Sequence, residues 1–216
     1  MSDYAAVIFD FGGVLTEPPG NGMRAYCERA GISWDVFRQL FVPLDGAWAK
    51  FEKNELTQDE FIRAFEAEAA AAGLTVDGAA FLDDFFSGMA LREDMIAVAR
   101  ALRGRYRLGC ITNNIQAVGR ARNPLFDDLF DVVVESSKVG MRKPDPRIYQ
   151  HCCELLGVRP EQAIFLDDFG INLKAARELG MATIKVDESQ SAIDELELML
   201  GIPLPRAGTS QPAAGS

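Results

Sequence analysis

Asp10, Thr112, Lys143 and the pair Asp167-Asp168 are the residues of this 216-residue chain whose types and order could do chemistry. Each comes after a short apolar run. Asp10-Phe11-Gly12-Gly13 follows Ala6–Phe9, and Thr112-Asn113-Asn114 follows Leu108–Ile111. A loop with Lys138, Arg142 and Lys143 follows Val132–Val134, and Asp167-Asp168 follows Ala163–Leu166. Singly, each has an ordinary reading: a turn carboxylate, a β-branched strand end, a solvated loop charge, a helix N-cap. In order, they are a carboxylate, a hydroxyl, a cation and a carboxylate pair. Three close carboxylates repel unless a cation sits among them, and oxygen ligands suit Mg²⁺, which shares substrate phosphate oxygens. A lysine and a hydroxyl would hold the remaining phosphate charge, and a carboxylate can attack phosphorus covalently. That chemistry is phosphoryl transfer through an aspartyl-phosphate.

Composition removes the main competitors. The chain has one histidine, His151, so no two-His metal site can form within it and any Ser-His-Asp or Cys-His enzyme would have to use that residue. His151 sits one position off the apolar face of a helical pattern and reads as structural. A net charge of −10 argues against nucleic acid as a partner and against an anionic membrane surface. The four cysteines, Cys27, Cys110, Cys152 and Cys153, form no CxxC pair and read as reduced thiols of a cytoplasmic protein. No basic leader and no stretch of 18 apolar residues is present.

The elements that must position these residues are legible in outline. The apolar runs, with a fifth at Ala182–Val186, are continuous rather than alternating, as strands buried on both faces are. Helical patterns separate them, which predicts a parallel α/β sheet. Ligands of such sheets bind beyond the carboxyl ends of the strands, where the candidate residues fall. Asp145-Pro146 predicts a helix start and Gly157 its stop; Ser189 is expected to cap a last helix through Leu200. Residues 17–91 hold no strand run. Thr57-Gln58-Asp59-Glu60 is a capping box, Asp77 is a further helix start, and 8 of the 14 phenylalanines and both tryptophans lie in this interval. It predicts a helical subdomain with its own small core, inserted into an α/β core formed by residues 1–16 and 92–202. The tail, 203–216, is expected to be disordered.

Four motifs then carry a resemblance. Val7-Ile8-Phe9-Asp10-Phe11-Gly12-Gly13-Val14-Leu15-Thr16 resembles the first motif of the haloacid dehalogenase superfamily; Ile111-Thr112-Asn113 resembles the second, Lys143-Pro144 the third and Phe165-Leu166-Asp167-Asp168 the fourth. The stretches 139–149 and 166–177 are similar to the branch holding the phosphatase domain of soluble epoxide hydrolases and the N-terminal domains of some multidomain acyl-CoA dehydrogenases. The resemblance implies a three-layer Rossmann-like core with a helical cap over the site, and a small phosphorylated metabolite as substrate. It implies Asp10 as nucleophile and Mg²⁺ ligand. The Gly12 backbone oxygen and Asp168 would be further ligands, with Asp167 helping directly or through water. Thr112 and the Asn113 backbone would bind the phosphoryl group, Lys143 would neutralise Asp10 and phosphate, and Asn172 would support the cluster.

One position departs from the family. Phosphatases of the superfamily usually carry a second Asp, which protonates the leaving group, two residues after the nucleophile; here that residue is Gly12. Good leaving groups, a replacement acid such as Glu17 or a cap residue, or weak turnover are the three outcomes. A haloacid dehalogenase, which needs the same nucleophile but no metal, and a phosphate-binding module with little or no turnover are the alternatives.

Overall fold

The computed structural model describes residues 4–87, 89–115 and 124–206. Five strands, β1 (Ala6–Phe9), β2 (Arg107–Thr112), β3 (Val132–Glu135), β4 (Ala163–Asp167) and β5 (Ala182–Lys185), form one parallel sheet in the order β3-β2-β1-β4-β5. Between β1 and β2 run α1 (Gly20–Ala30), α2 (Trp34–Phe37), α3 (Ala47–Glu52), α4 (Gln58–Ala71), α5 (Gly78–Ser87) and α6 (Glu93–Leu102). Then come α7 (Pro124–Leu129), α8 (Ser136–Val139), α9 (Pro146–Leu156), α10 (Gly170–Glu178) and α11 (Ser189–Leu200).

β1 is the middle strand. Its four side chains are buried and alternate between two cores, which is why it reads as an unbroken apolar run. Val7 and Phe9 pack with α6, α7 and α11 on one face, while Ala6 and Ile8 pack with α9 and α10 on the other. The result is three layers.

Most helix boundaries follow local chemistry. Asp145 accepts the Arg147 N–H at 3.0 Å at the start of α9, Pro146 is its first residue, and Gly157 ends it at φ 71°. At α4 Thr57 Oγ1 accepts the Glu60 N–H at 3.3 Å and Glu60 Oε2 accepts the Thr57 N–H at 2.9 Å. Asp77 Oδ1 accepts the Ala80 N–H at 2.9 Å. Ser189 is a correction. The N-cap of α11 is Glu188, and Ser189 is already helical with no side-chain cap, because the chain turns into the helix one residue earlier than the hydroxyl implied. The strands also run past their apolar stretches. Thr112 and Asp167 remain in the ladder, opposite Glu135 and Lys185, since backbone pairing is indifferent to side-chain polarity. β5 ends on Lys185 rather than Val186.

Helices α1 to α5 share one hydrophobic cluster. Its core is aromatic: Phe51 stacks on Phe61 at 4.3 Å, Phe61 on Phe65 at 5.1 Å and Phe65 on Phe81 at 5.2 Å. Two antiparallel passes tie it to the sheet. Thr16 pairs with Leu91, Glu17 N–H donates to Ala90 O at 2.7 Å, and Arg92 N–H donates to Leu15 O at 2.9 Å. At the far end Leu204 is buried and its N–H donates to Glu197 Oε1 at 2.6 Å. The rest of the expected disordered tail, 207–216, lies outside the described residues.

Candidate active site

The chain passes from β1 out to β2 and β3, then returns to β4 on the other side of β1. The gap between β1 and β4 is therefore the switch point, where such sheets bind ligands. Asp10 leaves β1 there, its N–H still donating to Leu166 O at 2.8 Å. The register pairs Phe9 with Leu166, so Asp10 stands level with Asp167.

Lys143 crosses to both. Its Nζ lies 2.7 Å from Asp10 Oδ1 and 2.7 Å from Asp167 Oδ2, and its side chain is 1% exposed. A buried ammonium is tolerable only with such partners. Burial works against its charge, yet Asp10 and Asp167 hold it well above the ordinary lysine value. Asp10 Oδ1 also accepts the Phe11 N–H at 2.6 Å. Burial pushes the Asp10 carboxyl up, Lys143 pulls it back, and the charges of Asp167 and Asp168 push it up again.

Asp167 is held on every side. Oδ1 accepts Phe169 N–H at 2.8 Å and Asn172 Nδ2 at 3.0 Å, and Oδ2 accepts Lys143 Nζ at 2.7 Å and Asn172 Nδ2 at 3.1 Å. Tyr149 OH donates to the backbone carbonyl of Asn172 at 3.0 Å and anchors that residue. Asp168 differs: its Oδ1 is buried with no hydrogen-bond partner among the described residues. Burial, then the Asp167 charge, pushes its carboxyl up to about 7.

Ligand atoms of Asp10, Asp167 and Asp168 all lie within 4.8 Å of one another. One ammonium against three carboxylates leaves two negative charges and one orphaned oxygen. That deficit fits a hard divalent cation with oxygen ligands.

The other expected residues surround this cluster. Thr112 is buried at the carboxyl end of β2, next to β1. Asn113 follows it, with its side chain turned onto the Lys143 backbone. Gly12 lies outside the left-handed region, and a Cβ there would meet Pro19 Cγ at 3.1 Å. Gly13 has φ +79° and an added Cβ would stand 2.3 Å from Asp168 Oδ2, so only glycine lets that carboxylate in. Glu17 pairs with Arg92 at 3.4 Å, and Arg92 Nη1 donates to Gly13 O at 3.0 Å. Lys138 pairs with Glu135 outside the cluster and stays half exposed. His151 lies in α9, partly buried.

Three features escape a reading of the sequence: the side-chain role of Asn113, the support from Tyr149, and an ion pair between Glu52 of α3 and Arg142 at 2.7 Å. Tyr149 had a usable signal, since it lies on the apolar face of α9 with a hydroxyl that burial obliges to find a partner.

The sequence matches the description "haloacid dehalogenase-like hydrolase" over residues 4–180. It is 36% identical over 218 residues to acyl-CoA dehydrogenase family member 10 of Mus musculus, covering 93% of this chain and 20% of that protein. It is 31% identical over 226 residues to bifunctional epoxide hydrolase 2 of Rattus norvegicus, covering 95% of this chain and 40% of that protein. The chain thus spans two fifths or less of these two relatives. With phosphatase MT3486 of Mycobacterium tuberculosis (strain CDC 1551 / Oshkosh) it shares 31% over 210 residues, 88% of this chain and 90% of that one. The fold matches a crystal structure of a haloacid dehalogenase-family enzyme from Bacteroides thetaiotaomicron, complexed with magnesium and inorganic phosphate. The TM-score is 0.63 at 23% identity, over 86% of this chain and 96% of that one.

Proposed function

This chain belongs to the haloacid dehalogenase-like hydrolases, and from that premise we propose that it is a Mg²⁺-dependent phosphomonoesterase acting on a small phosphorylated metabolite. The observation that carries the reading is Lys143 buried between Asp10 and Asp167, with Asp168 Oδ1 unpartnered beside them. Asp10, Asp168 and the Gly12 carbonyl would hold the metal, which supplies charge to the non-bridging phosphate oxygens. Asp167 has its acceptor positions taken by Lys143, Asn172 and Phe169, so its part is to fix Lys143 and reach the metal through water.

The chain's own residues do the rest. Asp10 Oδ1 is occupied by Lys143 and the Phe11 N–H, so Oδ2 is the oxygen assigned to attack. It forms the new O–P bond as the ester O–P bond breaks, giving an aspartyl-phosphate and the leaving oxyanion, which takes its proton from water. Water then attacks phosphorus, releasing phosphate and restoring the carboxylate. Thr112, the Asn113 N–H and Lys143 hold the phosphoryl oxygens. Nothing at position 12 can protonate the leaving oxygen, and Glu17 is paired with Arg92. Good leaving groups are therefore favoured. Residues 17–91 act as the cap. The four buried free thiols support a cytoplasmic setting.

A metal-free dehalogenase would have no use for Asp168 and its orphaned oxygen. Phosphate release from a panel of esters, and halide release from haloacids, each with and without chelator, tests the reading. Chelator-sensitive phosphate release supports it. Chelator-insensitive halide release replaces it.

A further inference from the structure

Outside the carboxylate cluster, Glu52 is a buried charge with no part in the chemistry above. Glu52 ends α3 in the helical insert, yet it is only 6% exposed. Its Oε2 lies 2.7 Å from Nε of Arg142, the core residue just before Lys143. Both atoms are buried, and among the described residues neither makes an aligned hydrogen bond, so charge is what joins them. Burial pushes the Glu52 carboxyl up and Arg142 draws it back.

The backbone of Glu52 is held as well. Ser136 Oγ, wholly buried, donates to the Glu52 carbonyl at 2.6 Å and accepts the Asn114 N–H at 3.0 Å. Asn114 Oδ1 in turn accepts from Ser137 Oγ at 2.9 Å, and its Nδ2 donates to Glu135 Oε1 at 2.9 Å. One residue of the insert thus reaches two core loops. Through Arg142 it reaches the loop of Lys143, and through Ser136 it reaches the loop of Asn113 and Asn114.

We propose that Glu52 is a positioning residue. With Arg142 and Ser136 it latches the insert onto the two loops that hold the phosphoryl group, so that closing the insert and placing Lys143 and Asn113 are one event. The phosphatase reading says what these loops hold; the latch itself rests on the contacts. Separating the pair exposes both charges to water, and their hydration offsets most of the attraction lost. A contact near break-even can open and close. Because the loops are shared, a ligand that binds them favours closure, and closure favours the ligand by the same factor.

Three variants test this in the full chain with Mg²⁺: Glu52→Gln, Arg142→Gln and the double variant. Inorganic phosphate binding is measured by calorimetry, hydrogen exchange is followed over 47–52 and 136–143, and Tm is recorded. Glu52→Gln is expected to weaken phosphate binding roughly tenfold and to speed exchange in both segments. Arg142→Gln should do the same. The double variant should recover the Tm lost when one charge stands alone, but not the phosphate affinity. Recovery of both would mean that Glu52 only balances a charge, and the latch would be wrong. It would be equally wrong if Glu52→Gln left exchange and affinity unchanged. Failure of the wild-type protein to bind phosphate would strike the phosphatase reading instead, and exchange alone would then decide the latch.

Discussion

The side-chain amide of Asn113 holds the backbone of Lys143 at both ends: its Oδ1 accepts the Lys143 N–H at 2.8 Å, and its Nδ2 donates to the Lys143 carbonyl at 3.0 Å. Only a group that accepts and donates side by side can do this. Asn113→Ala leaves two backbone groups unpaired, at a cost of about 1–3 kcal/mol each if they stay buried. The expected result is a loss of roughly tenfold or more in kcat/KM, with Asn113→Asp, which keeps the acceptor alone, falling between. Steady-state kinetics on p-nitrophenyl phosphate checks the order; equal rates in all three proteins would detach the clamp from function.

Asp10→Asn should remove turnover and leave the fold intact, because the swap is nearly isosteric and the amide still meets Lys143's surroundings. A variant retaining more than a few per cent of the wild-type rate would show that Asp10 is not the nucleophile. Lys143→Ala should likewise cost far more than Lys138→Ala, since the ion-pair partner of Lys138 among the described residues is Glu135, outside the carboxylate cluster.

The two neighbouring aspartates should separate. Asp168→Asn removes the carboxylate with the free oxygen, and should abolish the Tm rise that Mg²⁺ gives by binding the native state. Asp167→Asn should keep part of that rise but lower the rate, because it unseats Lys143. If the two variants lose the rise equally, Asp167 is a direct ligand.

Without metal, Asp168 titrates near 7, above the ordinary carboxylate value of about 4. Between those values the folded protein binds more protons than the unfolded one, so this group lowers stability as pH rises through that window. Mg²⁺ binds the ionised form and should cancel the loss. The Mg²⁺-induced Tm shift is expected to grow from about pH 5 to about pH 8, with a flat profile in Asp168→Asn. A shift independent of pH in the wild type would remove Asp168 from the metal site.

At position 12 an acid could be restored. The backbone admits an L-residue, and the obstacle is Pro19 Cγ, 3.1 Å from the added Cβ. Gly12→Asp should raise turnover of alkyl phosphates most, by up to about 10²–10⁴-fold if the carboxyl reaches the leaving oxygen. The wild type should show a steep dependence of kcat/KM on leaving-group pKa. A flat series would mean that another residue already delivers the proton.

Lys143 was legible from the cationic loop after the third apolar run and from the resemblance of Lys143-Pro144 to a family motif, and the carboxylates because a charge that ends an unbroken apolar run marks the carboxyl end of a buried strand. The three-layer core was legible for the same reason, through β1. What pairs across distance was not. Asn113 and Lys143 stand 30 residues apart, and Glu52 and Arg142 meet only once the insert folds back. With 32 acidic and 22 basic residues, the chain offers too many possible ion pairs for charge alone to select one. The start of α11 is not legible because a serine hydroxyl caps a helix only where its own backbone is extended, and here Glu188 takes that conformation while Ser189 is already helical.

Both tryptophans, Trp34 and Trp48, belong to the insert, and the sheet and its flanking helices carry none. Trp48 stands against Phe41, Phe61, Phe81 and Phe85, one helical turn before Glu52. The protein therefore carries a natural optical label on one of its two bodies. Indole emission reports the insert alone, while three of the four tyrosines, Tyr4, Tyr106 and Tyr149, report the remainder. Movement or melting of one body can be told from that of the other in the unlabelled chain.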